Sequence, residues 1–377
     1  MRGYFLGHLM MLLLSLSVFS WGDLQWLFRG VFLSTLFLFL CISDLFYLRI
    51  RILPKAIVFF LLLGLLSSIY SYDLLRSILK LVEVFFAAYC TFGIVNFYRK
   101  RSMNYYFYEF CYMAGLIVIV SIFLNYCFGI LYFHELSGLF PIINANSVGS
   151  VFGVLFLVFV FKKKYFSAFI TSILIYLSGS DSALYSVIFS LFSIFFINNL
   201  KNKFVWIMNK KIFYVSVFSF ICIFYYCILN LILIYDFSFS GRLNLWTNAI
   251  SGFGNKIAIW HGVGLGGFRD EYYLMFGRAV SAHNSFVEYY FSFGVFGLIF
   301  LISTLVVLFK NSALHAIYNN NFLYLSILLF IILKALTSSN LGYVSFETIV
   351  VFLIYLVTKN SLLVSNRKHK DILRCID

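Results

Sequence analysis

The chain reads as an all-α polytopic membrane protein, and three observations predict that class. Its 377 residues are 63% hydrophobic and 11% charged, against about 25% charged residues in soluble globular domains. Twelve apolar stretches recur along it, several close to the ~20 residues that a helix needs to cross a bilayer. The basic residues fall in clusters on alternate connections between those stretches, as the positive-inside rule requires of a chain that threads back and forth. The 49 Phe and 27 Tyr, with only two prolines, suit unbroken helices with aromatic flanks, and each Phe is expected mainly to face lipid.

The stretches centre on 4–21, 30–47, 55–71, 78–97, 107–128, 147–161, 165–178, 183–198, 212–234, 284–309, 322–337 and 344–358. The first has one Arg and an apolar core, like a signal peptide. It lacks a small-residue cleavage site, and Trp21 and Asp23 follow, so it is expected to stay as an uncleaved span. Arg2, Arg49 to Lys55, Arg99 to Arg101, Lys162 to Lys164, Lys201 to Lys211, Lys310 and the tail from Lys359 carry twenty of the 28 Lys and Arg. That bias puts both termini in the cytoplasm and the long connection 235–282 outside. The net charge of +14 is accounted for by these loops and is no sign of a nucleic-acid partner. Seven cysteines, six of them in or beside apolar runs and none in a CxxC, give no disulfide framework, zinc site or redox pair. Without a repeat or linker, residues 1–377 are expected to form one transmembrane domain, with 235–282 as its extracytoplasmic loop.

Only 36 residues separate Lys164 from Lys201, too few to cross the bilayer twice with a loop to spare. The turn Ser178-Gly179-Ser180-Asp181-Ser182 is therefore expected at or just beneath the outer interface, and the brief sixth span draws Asn144, Asn146 and Ser147 to the same depth. Irregular backbone there must be buried in protein or line a wet cavity. An outward-facing polar cavity roofed by the long loop follows.

Inside that loop, Leu243, Trp246, Ala249 and Ile250 recur at helical spacing behind Ser240, a plausible N-cap, giving a short amphipathic helix. Arg242 falls in its first turn, where the helix dipole opposes a cation by a few tenths of a kcal/mol; an anion bound there, or a lipid headgroup, would explain it. The glycine run from His261 to Phe268 has no strand-and-helix context for a dinucleotide. It serves either as a nest of N–H groups for phosphate or as a plain turn. Arg269 and Arg278 follow, suited to bidentate phosphate contacts; Asp270 and Glu271 compete for Arg269. His283 and Asn284 open the tenth span. The imidazole is a candidate general base or a hydrogen-bonded anchor. Glu288, five residues on, lies about 140° round the helix from His283 and shares a face with Asn284 and Ser292; a carboxylate that deep implies a cavity. Lys80 and Glu83 are spaced to neutralise each other, and Lys334 and Glu347 flank the last outer turn.

His283-Asn284, nine residues, then Gly294 and Gly297 resembles the H-[NSQ]-x9-G-x-x-G signature of O-antigen ligases and Wzy-type polysaccharide polymerases. GRLNLW and GVGLGGF are similar to that superfamily's lead-in, and LSGSDSALYS resembles its LSGSR-[ST]-A element. The resemblance implies an inverting, metal-independent glycosyl transfer without a cofactor at the outer face of the bacterial inner membrane. The partners it implies are an undecaprenyl-diphosphate-linked oligosaccharide as donor and acceptor, membrane lipids and a chain-length regulator protein. Carried over by position, His283 deprotonates or orients the acceptor hydroxyl, and Arg242, Arg269 and Arg278 hold the diphosphate. Asn284, Glu288, Asn146 and Asp181 bind substrate. Asp181 stands where the family has an Arg, leaving Arg76 or Lys80 as substitutes for the missing cation. Because the match drops that Arg and ends in GVFGLIF rather than GxxGTG, polymerase is expected over ligase. A lipid-linked oligosaccharide flippase is the alternative from another class.

Overall fold

Helices stand at eleven of the twelve apolar stretches; the ninth, 212–234, lies outside the described residues. The computed structural model describes residues 2–19, 25–46, 53–97, 103–128, 136–138, 141, 143–199, 246, 258–277 and 281–359. In chain order the helices are α1 (Arg2–Ser17), α2 (Gln25–Phe46), α3 (Lys55–Ser68), α4 (Leu74–Phe97), α5 (Met103–Cys127), α6 (Ala145–Phe161), α7 (Tyr165–Leu177) and α8 (Asp181–Asn199). After the gap come a single turn, Ala258–His261, then α9 (Gly267–Phe276), α10 (Ser285–Asn319), α11 (Leu323–Ala335) and α12 over 346–359.

Four of these helices are long and apolar enough to cross a membrane, and six more are apolar but shorter. The sequence expectation of twelve crossings is thus not established by helix length. The reason is geometric: α7 and α11 have 13 residues each, about 20 Å at 1.5 Å per residue, short of a ~30 Å core. The opposite departure is α10. Expected to end near 309, it runs 35 residues to Asn319 and stops where Asn320 turns left-handed at φ 49°.

α6 and α11 form the centre. Both are predominantly apolar, and Val148 to Leu155 of α6 and Leu323 to Leu328 of α11 are buried throughout, the fate of a helix without a continuous polar stripe. Phe166 and Phe169 of α7 and Phe192 and Phe195 of α8 point outward, the lipid-facing role expected of Phe. Phe107, Phe110, Phe152 and Phe330 instead fill the interior, so the aromatic excess is core as well as coat.

The N-terminal ends of α2, α4 and α6 meet the C-terminal end of α1 and the α11–α12 turn around a polar cavity of about 280 Å³. Lys162, Lys163 and Lys164 lie beyond the other end of α6. The cavity and the expected cytoplasmic lysines therefore occupy opposite ends of the bundle.

Candidate functional site

The His283–Asn284 turn is pinned from four directions. Asn284 is extended (φ −155°, ψ 118°) and caps α10, its Oδ1 accepting from the backbone N–H of Phe286 at 2.9 Å and of Val287 at 3.2 Å. Its own N–H donates to Ser339 Oγ at 3.1 Å. On the other side, Ala282 N–H donates to Glu288 Oε2 at 3.4 Å, and the Trp246 indole donates to the Ala282 carbonyl at 2.7 Å. Ser285 Oγ donates to Ser338 O at 2.7 Å and accepts from Leu341 N–H at 3.2 Å. Between these anchors His283 is held at φ 51°, a left-handed conformation that a residue with a Cβ adopts at a cost. Its side chain is half-buried.

Glu288 is 4% exposed and accepts the Tyr343 hydroxyl at 2.5 Å. Loss of solvent and then the facing Glu288 carboxylate hold the Tyr343 phenol well above its ordinary value, so it stays protonated and donates. Lys80 Nζ lies over the Tyr343 ring, 5.8 Å from its centroid. Glu288 thus steadies the residue before His283 and ties the turn to the cavity wall.

The glycine run packs under this turn as a structural clasp. Val263 N–H donates to Phe291 O at 2.9 Å, Gly264 N–H to Ser292 O at 3.0 Å, Gly267 N–H to Gly264 O at 2.9 Å and Leu265 N–H to Ser77 Oγ at 2.9 Å. Those N–H groups are spent on protein, which replaces the phosphate-nest reading with a turn that docks the loop on α10 and α4. Gly294 makes the docking possible. It breaks α10 at φ 67°, ψ −162°, and a Cβ there would lie 2.2 Å from the Trp260 carbonyl oxygen. The first glycine of the spacing motif is therefore where the loop backbone crosses the helix.

The remaining sequence candidates divide. Arg242 and Arg278 lie outside the described residues. Arg269 is exposed on α9; its expected competitor Asp270 instead accepts from Arg76 Nη1 of α4 at 2.7 Å. Asn146 and Asp181 belong to a second cluster. Lys334, fully buried, donates to Ser182 Oγ at 2.7 Å, Ser180 Oγ at 2.8 Å and Asn146 Oδ1 at 3.4 Å. Asp181 is exposed at the start of α8 beside them. A cation thus does reach the SGSDS turn, from α11 rather than from Arg76 or Lys80. Replacing Ser182 by Ala removes one acceptor from a buried ammonium, and a loss of about 1–3 kcal/mol is expected. Thermal unfolding of the detergent-solubilised protein measures it.

Between the two clusters lies the cavity, with Asn144 and Ser147 on one side and Ser339, Asn340 and Tyr343 on the other. The expected Lys80–Glu83 pair does not form its wall: Glu83 Oε2 accepts from Arg29 Nη1 at 3.4 Å, and Arg29 Nε also donates to Ser17 O at 3.0 Å. Sequence reasoning passed over Arg29 and Tyr343. The signals were an arginine inside an apolar helix, which is costly unless buried with partners, and Glu288, which needs a donor from somewhere else in the chain.

No curated protein matches the chain. A family model described as O-Antigen ligase matches residues 166–302, a segment that begins in α7, includes the SGSDS turn and ends beyond Gly297. Helices apolar enough to cross a membrane accompany it. That match and the motif spacing within it make residues 166–302 similar to the O-antigen ligase family, which supports placing the segment among the O-antigen ligases and polymerases.

Proposed function

We propose that the protein is the polymerase of an O-antigen or capsular polysaccharide. It moves the growing glycan from undecaprenyl diphosphate to the non-reducing end of another lipid-linked repeat unit, at the outer face of the bacterial inner membrane. The observation that carries this reading is the His283–Asn284 turn, anchored by Trp246, Glu288 and Ser339 beside a polar cavity. In the proposed step the acceptor hydroxyl attacks the anomeric carbon while His283 takes its proton. The bond from that carbon to the diphosphate oxygen breaks with inversion, and undecaprenyl diphosphate leaves. Arg242, Arg269 and Arg278 are proposed to steady the charge that develops on it; the chemistry needs no metal or cofactor. A chain-length regulator is the proposed protein partner.

The second reading is ligase, transferring the polymer to lipid A-core, and the description of the matching family favours it. The ending GVFGLIF and the Asp at 181 favour polymerase. A deletion strain decides. Lipid A-core bearing a single repeat unit is the expected result and marks a missing polymerase. Accumulated lipid-linked polymer marks a missing ligase. A flippase has no support from the family match, and elongation of already translocated substrate by purified protein would exclude it.

A further inference from the structure

Every lining residue of the cavity lies outside the matched segment 166–302, whereas His283 and Asn284 lie within it. The group proposed to move the proton and the wall of the cavity thus come from different parts of the chain. They are joined by hydrogen bonds from Asn284 N–H to the lining residue Ser339 and from the lining Tyr343 hydroxyl to Glu288.

The lining chemistry narrows the occupant. Two cations, Arg29 and Lys80, face two carboxylates, Glu83 and Glu347. Arg29 is engaged by Glu83, and Glu347 Oε1 accepts from Asn340 Nδ2 at 2.8 Å. A diphosphate entering here would meet both carboxylates as well as the two cations, so the balanced wall offers it no net charge to bind. At the N-terminus of α6, Asn144 Oδ1 accepts from Ser147 N–H at 2.8 Å, which satisfies one of the groups that an anion would otherwise meet. Hydroxyl groups suit the same surface well. A carboxylate held by an amide, a phenol and serines provides both acceptors and donors, while Phe19, Tyr343 and Phe346 offer apolar faces to ring C–H groups. At about 280 Å³, the volume stands at the low edge of the ~300–1,000 Å³ that enclose larger ligands. It suits one sugar ring rather than an oligosaccharide.

We infer that this cavity seats one uncharged monosaccharide of the acceptor, read by the Asn340–Glu347 pair and presented toward His283. The inference rests on the transfer reaction proposed above and adds the sugar class to it. The choice of sugar is then set by α2, α4, the start of α6 and the α11–α12 turn, and not by the motif segment.

Saturation-transfer NMR on the full-length protein in nanodiscs tests it. The probes are free glucose, galactose, rhamnose, N-acetylglucosamine and glucuronate, with inorganic pyrophosphate as competitor. An uncharged sugar is expected to give signal that survives pyrophosphate and His283→Ala. It should disappear in Glu347→Gln, which removes a charge, and in Ser147→Leu, which fills the cavity; if one of these does not fold, the other decides. Signal from glucuronate alone, displacement by pyrophosphate, no sugar signal, or signal persisting in the folded variants overturns the inference. Elongation by the wild-type protein is read separately. If it elongates lipid-linked repeats and the sugar signals fail, only the cavity assignment falls. If a sugar binds as described and elongation fails, the polymerase reading falls instead.

Discussion

His283→Ala is expected to abolish long-chain polysaccharide while the protein remains folded in the membrane. The anchors of the turn do not depend on the imidazole: Trp246 and Glu288 hold Ala282, and Ser339 holds Asn284. The backbone at 283 is nevertheless left-handed, at φ 51°, which costs a residue with a Cβ about 1–2 kcal/mol relative to its right-handed form. Glycine relieves that cost. His283→Gly should therefore match or exceed the unfolding temperature of His283→Ala and still produce no polymer, a combination that separates a functional histidine from a structural one. General acid–base assistance typically contributes about 10²–10⁴-fold, so residual elongation at or below about a hundredth of wild type is the expected assay result. Wild-type chain lengths on a lipopolysaccharide gel in either variant would remove His283 from the proposed step. Arg278→Ala should likewise shorten the chains.

Gly294→Val is expected to be the most damaging single change among the described residues. Three costs coincide there. The backbone is at φ 67°, the first atom of any side chain would lie 2.2 Å from the Trp260 oxygen, and it would lie 2.6 Å from the His261 nitrogen. Atoms of the main chain cannot swing aside as the end of a flexible side chain can. Either α10 straightens or the loop lifts, and in both cases the bonds from Val263 and Gly264 to Phe291 and Ser292 are lost. Strain of about 1–3 kcal/mol and two hydrogen bonds of about 1 kcal/mol each make a loss of roughly 3–5 kcal/mol. Limited proteolysis reads the outcome directly: cleavage near 258–266 should appear in Gly294→Val and be absent from wild type. An undigested loop with normal thermal stability would show that the helix break is not what docks it.

The sequence alone determined the class, the helices and the identity of the motif. Apolar length and composition are local properties, so eleven helices stood where the apolar stretches predicted them. The capping role of Asn284 is also local, because an N-cap bonds the N–H groups two and three positions on. Lys80 and Glu83 show where local reasoning stops. Their i, i+3 spacing permitted a pair, yet a salt bridge from Arg29, 54 residues earlier, took the carboxylate. Asp270 went to Arg76 rather than Arg269, and Lys334 reached the SGSDS turn from α11. The glycine run illustrates the same limit. Its sequence permitted either a phosphate nest or a turn, and the choice was made by the carbonyls of Phe291 and Ser292 and the Ser77 hydroxyl, which no spacing rule connects to it. Hydrogen-bond partners, unlike helices, depend on which surfaces packing brings within 3 Å or so of one another, and only the tertiary structure decides that.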